Sequence, residues 1–160
     1  MIGRLTLALS AGVAATAMAV GSLVDHPAMA LLTKVRPDVR WDSSTIVAGD
    51  FDADGKEDFA VVGYVSGDLI LAIRLSHDVK PTDFQYLSFG IGRAQQDAIC
   101  VAPAKLSAVP LLCASEGSAL PGCRESRGAS GLTLSDHNDD CDPINLYWDN
   151  DHRRMAWWRN

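Results

Sequence analysis

The run from Gly49 to Gly63, GDFDADGKEDFAVVG, constrains this chain more than any other stretch. It places five acidic residues in fifteen positions and then passes directly into apolar residues. Asp50, Asp52, Asp54 and Asp58 repel one another at such spacing, so the loop that holds them is either a solvated turn or a wrapping around something positive. Gly55 supplies the residue without a Cβ that a sharp turn needs. STIVAGDF and FAVVGYV flank the loop, and both are rich in the β-branched and aromatic residues that favour strands. A tight acidic loop between two strands therefore opens the domain.

Strand signals continue along the chain. DLILAIRL follows the turn SGD, and INLYWD and RMAWWR close the chain around NDHR. YVSGDLI and YWDNDHRRMAW read as hairpins, the first with Gly67 in its turn. The pattern is less regular from Gly90 to Gly131. Pro103 and Pro110 in APAKLSAVPLL argue against a continuous helix or a central strand, and Ala94 to Cys100 has room for one helical turn. No Gly/Ser-rich or Pro-rich spacer divides the chain. The expected fold is mainly β, a small single domain of antiparallel sheets. A weak echo of the acidic loop occurs in LSDHNDDCDPINLYW, where Asp136, Asn138 and Asp140 alternate before an apolar strand. Cys141 stands there in place of the glycine and Ile144 in place of the last aspartate, so the stretch 136–142 reads as a structural turn.

Residues 1–30 have the layout of a secretory signal peptide. Arg4 precedes an uncharged apolar run from Leu5 to Val24, and Ala28 and Ala30 form an A-x-A exit. Removal leaves 31–160 as one β-rich domain, secreted or periplasmic, without stable membrane insertion. Cys100, Cys113, Cys123 and Cys141 all lie in that part, and an even number in an oxidising compartment implies two disulfides. Three pairings are possible; the expected one is Cys100–Cys113 with Cys123–Cys141, each flanking a short excursion between strands. A net charge of −6 leaves no basic footprint for nucleic acid or anionic lipid.

A calcium ion takes six to eight oxygens at about 2.3–2.6 Å. Asp50, Asp52 and Asp54 stand at loop positions one, three and five, Gly55 at six, the Lys56 carbonyl at seven and Asp58 at nine. Val61 at position twelve, inside an apolar strand, excludes an EF-hand, which needs a glutamate there. The stretch resembles the FG-GAP (VCBS) repeat, the calcium-binding blade motif of integrin-α-type β-propellers. The resemblance implies Asp50, Asp52, Asp54 and Asp58 as side-chain ligands of Ca2+ and Lys56 as a carbonyl ligand. It also implies Phe51 and Phe59 buried beside the loop and Gly49 and Gly63 framing it. Only these fifteen residues carry it, and a propeller needs four to eight blades; the implied architecture is blade-like, not a complete propeller.

His77, His137 and His152 lie in SHD, DHND and NDHR and read as lone surface histidines. No H-E-x-x-H, G-x-S-x-G or phosphate-binding glycine loop is present, so no enzyme is expected. The tail NLYWDNDHRRMAWWRN is the other unusual stretch. Neighbours on a strand face opposite ways, and Trp and Arg anchor interfaces. Tyr147, Trp148, Arg154, Trp157 and Trp158 therefore form a candidate binding patch for another protein or a cell-surface glycan. The expected function is that of an exported, calcium-stabilised FG-GAP-like β-domain acting by binding, without catalysis. The alternative is a periplasmic inhibitor or immunity-type protein that blocks a hydrolase through the acidic loop or the Trp/Arg hairpin.

Overall fold

The computed structural model describes residues 27–80, 82–92, 97–138 and 141–159. A helix, α1 (Pro27–Val35), is followed by β1 (Arg40–Gly49), β2 (Asp58–Val65), β3 (Asp68–Arg74), β4 (Gln85–Ile91) and β5 (Ala98–Ile99). After these come β6 (Ala104–Pro110), β7 (Ala114–Ser115), β8 (Ser118–Ala119), β9 (Ser130–Asp136), β10 (Ile144–Asp149) and β11 (Arg154–Trp158). Strands β1-β2-β3-β4-β5 form one sheet, β11-β10-β9-β6 a second, and β7-β8 a small ribbon. All pairs are antiparallel except β4 with β5. The chain is mainly β, a single small domain whose curled sheets make a half-barrel and not a complete propeller.

The β2–β3 hairpin forms because Ser66 and Gly67 both take positive φ (49° and 88°), the conformation that matches the twist of the flanking strands. Its register sets Val62 opposite Leu71 and Ala60 opposite Ile73. These side chains join Leu69, Phe89, Leu106, Leu132, Leu134, Leu146 and Met155 in the core between the two sheets. Phe59, Val61 and Ala72 alternate to the opposite face, where Ile46 and α1 residues Ala28 and Leu32 cover them. The unbroken run FAVV is thus buried on both faces, the pattern of a strand inside a layered fold. The expected cleavage point after Ala30 falls within α1; residues 1–26 lie outside the described residues.

β1 begins at Arg40, earlier than STIVAGDF implies, and its pairing with β2 slips between Asp42 and Val47. Thr45 holds the bulge together: its hydroxyl donates to Asp42 O (2.8 Å) and accepts from Val62 N (2.9 Å), replacing a ladder bond. The irregular middle and its flanks contain six strands not read from the sequence, β4 to β9. Pro110 ends β6, which lies at the edge of its sheet, where a proline is tolerated. β9 carries the alternation Leu132, Leu134, and β4 precedes the short β5, which occupies Ala98–Ile99 in place of the expected helical turn. Residues 94–96 of that expected turn lie outside the described residues.

The expected disulfide pairing is corrected. The bonds are Cys100–Cys141 and Cys113–Cys123, with Cα–Cα distances of 5.8 and 5.3 Å. Cys100 and Cys113 flank the seven-residue β6, whose extension of roughly 20 Å puts them beyond bridging distance. Cys100–Cys141 instead ties the end of β5 to the approach to β10. Arg159 reinforces that junction by donating to Ala98 O (2.8 Å) and Asp142 O (2.9 Å). Two disulfides fit an oxidising compartment, and among the described residues no helix is long and apolar enough to cross a membrane.

Candidate functional site

The acidic loop joins β1 to β2 and folds on itself through its own carboxylates. Ala53 and Gly55 take positive φ (63° and 82°), which turns the chain sharply enough for the aspartates to reach backbone amides inside the loop. Asp52 Oδ1 accepts from Asp54 N (3.1 Å), Asp54 Oδ1 from Lys56 N (2.8 Å), and Asp50 Oδ2 from Gly55 N (3.1 Å). Phe51 is fully buried under the loop and Phe59 is 5% exposed. A Cβ on Gly49 would lie 2.8 Å from the Phe51 ring, and one on Gly63 would lie 2.4 Å from Val39 and 2.6 Å from Trp41. Both framing glycines therefore mark close approaches.

Asp58 is the buried end of the site, 2% exposed. Its Oδ2 accepts from Phe51 N (2.7 Å) and its Oδ1 from Ser76 N (2.8 Å), so one carboxylate pins the loop both to itself and to the turn after β3. Burial pushes the Asp58 carboxyl up to about 6; the backbone N–H groups of Ser76, Phe51 and Asp52 work against this and the charge of Asp52 adds to it. Burial also pushes on Asp54, but bonds from the Lys56 N–H, Ser76 Oγ and the Lys56 ammonium hold it below the ordinary carboxylate value. Lys56 reaches Asp54 Oδ2 only at 3.4 Å, with its side chain 66% exposed.

Two overlapping groups of donors result. Oxygens of Asp50, Asp52 and Asp58 lie within 4.8 Å of one another, as do donors of Asp52, Asp54 and His77. Asp52 belongs to both, and its side chain is 4% exposed. The expectation of lone surface histidines fails at His77, whose Nδ1 sits 2.7 Å from Asp52 Oδ2 and whose ring meets Trp148 edge-on at 6.4 Å. The signal was SHD, polar residues directly after an apolar strand, but only the fold places that turn over the loop. Asp50 Oδ1 is buried and has no hydrogen-bond partner. An orphaned carboxylate oxygen beside two further carboxylates is the donor chemistry a hard cation requires. Oxygens of Asp50, Asp52 and Asp58 are thus close enough to share a hard cation, whereas Asp54 stands in the other group with Asp52 and His77; the structure assigns no role to the Lys56 carbonyl.

The second acidic stretch differs. Asp136 is 1% exposed at the end of β9, and its Oδ1 accepts from Asn138 N (3.0 Å). Asp139 and Asp140 lie outside the described residues. His152 is not a lone histidine either: Nδ1 is 2.6 Å from Asp149 Oδ2, while Asp149 Oδ1 accepts from Asp151 N and His152 N. Burial pushes the Asp149 carboxyl upward, but the bonds from His152 and Asp151 outweigh it and hold the group below its ordinary value.

The aromatic tail divides. Tyr147 and Trp148 are 5% and 8% exposed and belong to the interior, because β10 is a central strand covered on both faces. They are removed from the candidate patch. Arg154 is exposed, Trp157 is 40% exposed, and Trp158 is half-buried on β11 at the sheet edge. An open cleft of about 560 Å3 lies beside His77, with Gln85, Trp148, Arg153 and Arg154 on its walls. Comparison with family models, with curated proteins and with solved structures finds no match.

Proposed function

We propose that this chain is an exported, calcium-stabilised β-domain with an FG-GAP-like loop, and that it acts by binding another protein or a glycan, without catalysis. The observation that carries the calcium reading is the buried, unpartnered Asp50 Oδ1 within 4.8 Å of Asp52 and Asp58 oxygens. Asp50, Asp52, Asp54 and Asp58 would hold the ion, whose charge offsets the mutual repulsion of their carboxylates. His77 is a positioning residue: together with Asp54 N it fixes both oxygens of Asp52. Asp58 links the loop to the turn after β3, so an ion there stiffens the mouth of the cleft lined by His77 and Trp148. The binding reading rests on exposed Arg154 and Trp157 at the sheet edge, residue types favoured as interface anchors. Calorimetric titration of the metal-free protein with calcium tests the site. We expect saturable one-site binding that Asp50→Asn weakens at least tenfold; a wild-type protein that takes up no calcium at millimolar ion overturns the reading.

A further inference from the structure

The half-barrel has a seam. β4 and β11 approach each other there, but no backbone ladder joins them. A side chain makes the link instead. Gln85 Oε1 accepts from Met155 N (2.8 Å) and Gln85 Nε2 donates to Met155 O (3.0 Å), the bonding pattern one residue of a neighbouring strand would provide. Met155 therefore points its N–H and C=O away from β10. By the alternation of an antiparallel pair, Trp157, two residues on in an unbroken register, points the same way.

The facing edge has the same character. Gly90 N and Gly92 N donate to Asp97 O and Ile99 O on the outer side of β4. Tyr86 and Ser88, in phase with them, direct their backbone groups to that side too, where β5 does not reach. The cleft between the edges has a volume of about 450 Å3 and is walled by Tyr86, Leu87, Arg154, Ala156 and Trp157. Trp157 leans across its far end to meet Phe89 edge-on at 5.9 Å.

We propose that this seam is a β-augmentation site: an extended peptide of alternating acidic and apolar residues displaces the Gln85 amide and pairs with the outer edge of β11. Backbone groups left open at a sheet edge supply the affinity of this binding mode, and alternate side chains supply its specificity. The chemistry of the occupant follows from the two faces. Leu87, Met155 and Trp157 pack toward the core side and call for apolar neighbours. Arg154 lies on the other face, on the wall of the cleft, and has no ion-pair partner among the described residues. Acidic side chains complement it. The proposal deepens the binding reading above and is independent of the calcium reading.

The probe is a blocked seven-residue peptide of alternating valine and glutamate, dye-labelled, titrated by fluorescence anisotropy into the intact oxidised protein in calcium and in EDTA. We expect saturable binding, at least tenfold weaker for Arg154→Glu and several-fold tighter for Gln85→Ala, which removes the competing amide. N-methylation of one alternate set of peptide amides abolishes binding, and methylation of the other set leaves it. Equal effects of the two sets, or no binding at millimolar peptide, overturn the proposal. A stable Gln85→Ala dimer that excludes the peptide overturns it too, assigning the edge to a second copy. Loss of peptide binding with normal calcium uptake refutes the seam and leaves the metal loop standing.

Discussion

Asp58→Ala separates the two roles of the acidic loop, scaffold and metal site. In the metal-free protein Asp58 accepts from Phe51 N and Ser76 N. Phe51 is fully buried, so its N–H loses the Asp58 acceptor where water does not replace it, at a cost of about 1–3 kcal/mol. Ser76 is exposed, and water replaces its bond for well under about 1 kcal/mol. Truncation also ends the burial of a carboxylate, the burial that pushes the Asp58 carboxyl up to about 6, and this offsets part of the loss. The net expectation in EDTA is about 1–2 kcal/mol, a fall in melting temperature of roughly 3–10 °C for a domain of this size. Asp54→Ala, at an exposed position where water replaces the bonds to Lys56 N and Ser76 Oγ, costs less than Asp58→Ala under the same conditions. Both variants lose whatever calcium adds. Urea unfolding in EDTA, followed by tryptophan fluorescence, measures the difference. Equal losses from the two substitutions, or no loss from Asp58→Ala, refute the assignment of Asp58 as the buried anchor.

Other perturbations reach other parts of the account. His77→Ala lowers calcium affinity about 10–100-fold by freeing Asp52, while the metal-free fold keeps its melting temperature; calorimetry and thermal unfolding read the two effects separately. Gly63→Ala destabilises by about 1–3 kcal/mol, because its Cβ meets Val39 and Trp41 within the sheet packing. Asp149→Asn tests a depressed carboxyl: the stability due to Asp149 is complete above the ordinary aspartate range and is lost as pH falls through the lower folded value, so the gap between wild type and variant narrows only in strong acid. Replacing Cys100 and Cys141 by serine costs roughly 4 kcal/mol and replacing Cys113 and Cys123 roughly 3, from the loop lengths of 41 and 10 residues. Peptide mapping without reduction checks the pairing directly.

What the sequence made legible is local. The Ser66–Gly67 turn, the second hairpin and the acid-rich turn with Gly55 at its bend each depend on residues a few positions apart, and each stands where the pattern put it. Information carried by distant partners was not legible. Tyr147 and Trp148 alternate faces as any strand pair must, but nothing local says that both faces of β10 are covered. Cysteine spacing suggested neighbours in sequence, whereas β6 carries Cys100 and Cys113 apart and the junction at Arg159 brings Cys141 in. His77 lies more than twenty residues from Asp52, and only the curl of β3 over the loop joins them. β9 did announce itself in the alternation of Leu132 and Leu134, a signal lost beside the prolines and glycines around it.

The central claim is that the loop from Asp50 to Asp58 holds calcium and that the ion stabilises the domain. Thermal unfolding of the oxidised protein in EDTA and again in millimolar calcium tests it most directly. At a thousandfold excess over a micromolar dissociation constant the ion adds about 4 kcal/mol, a rise of more than about 10 °C, which Asp52→Ala abolishes. An unchanged midpoint in the wild-type protein contradicts the claim.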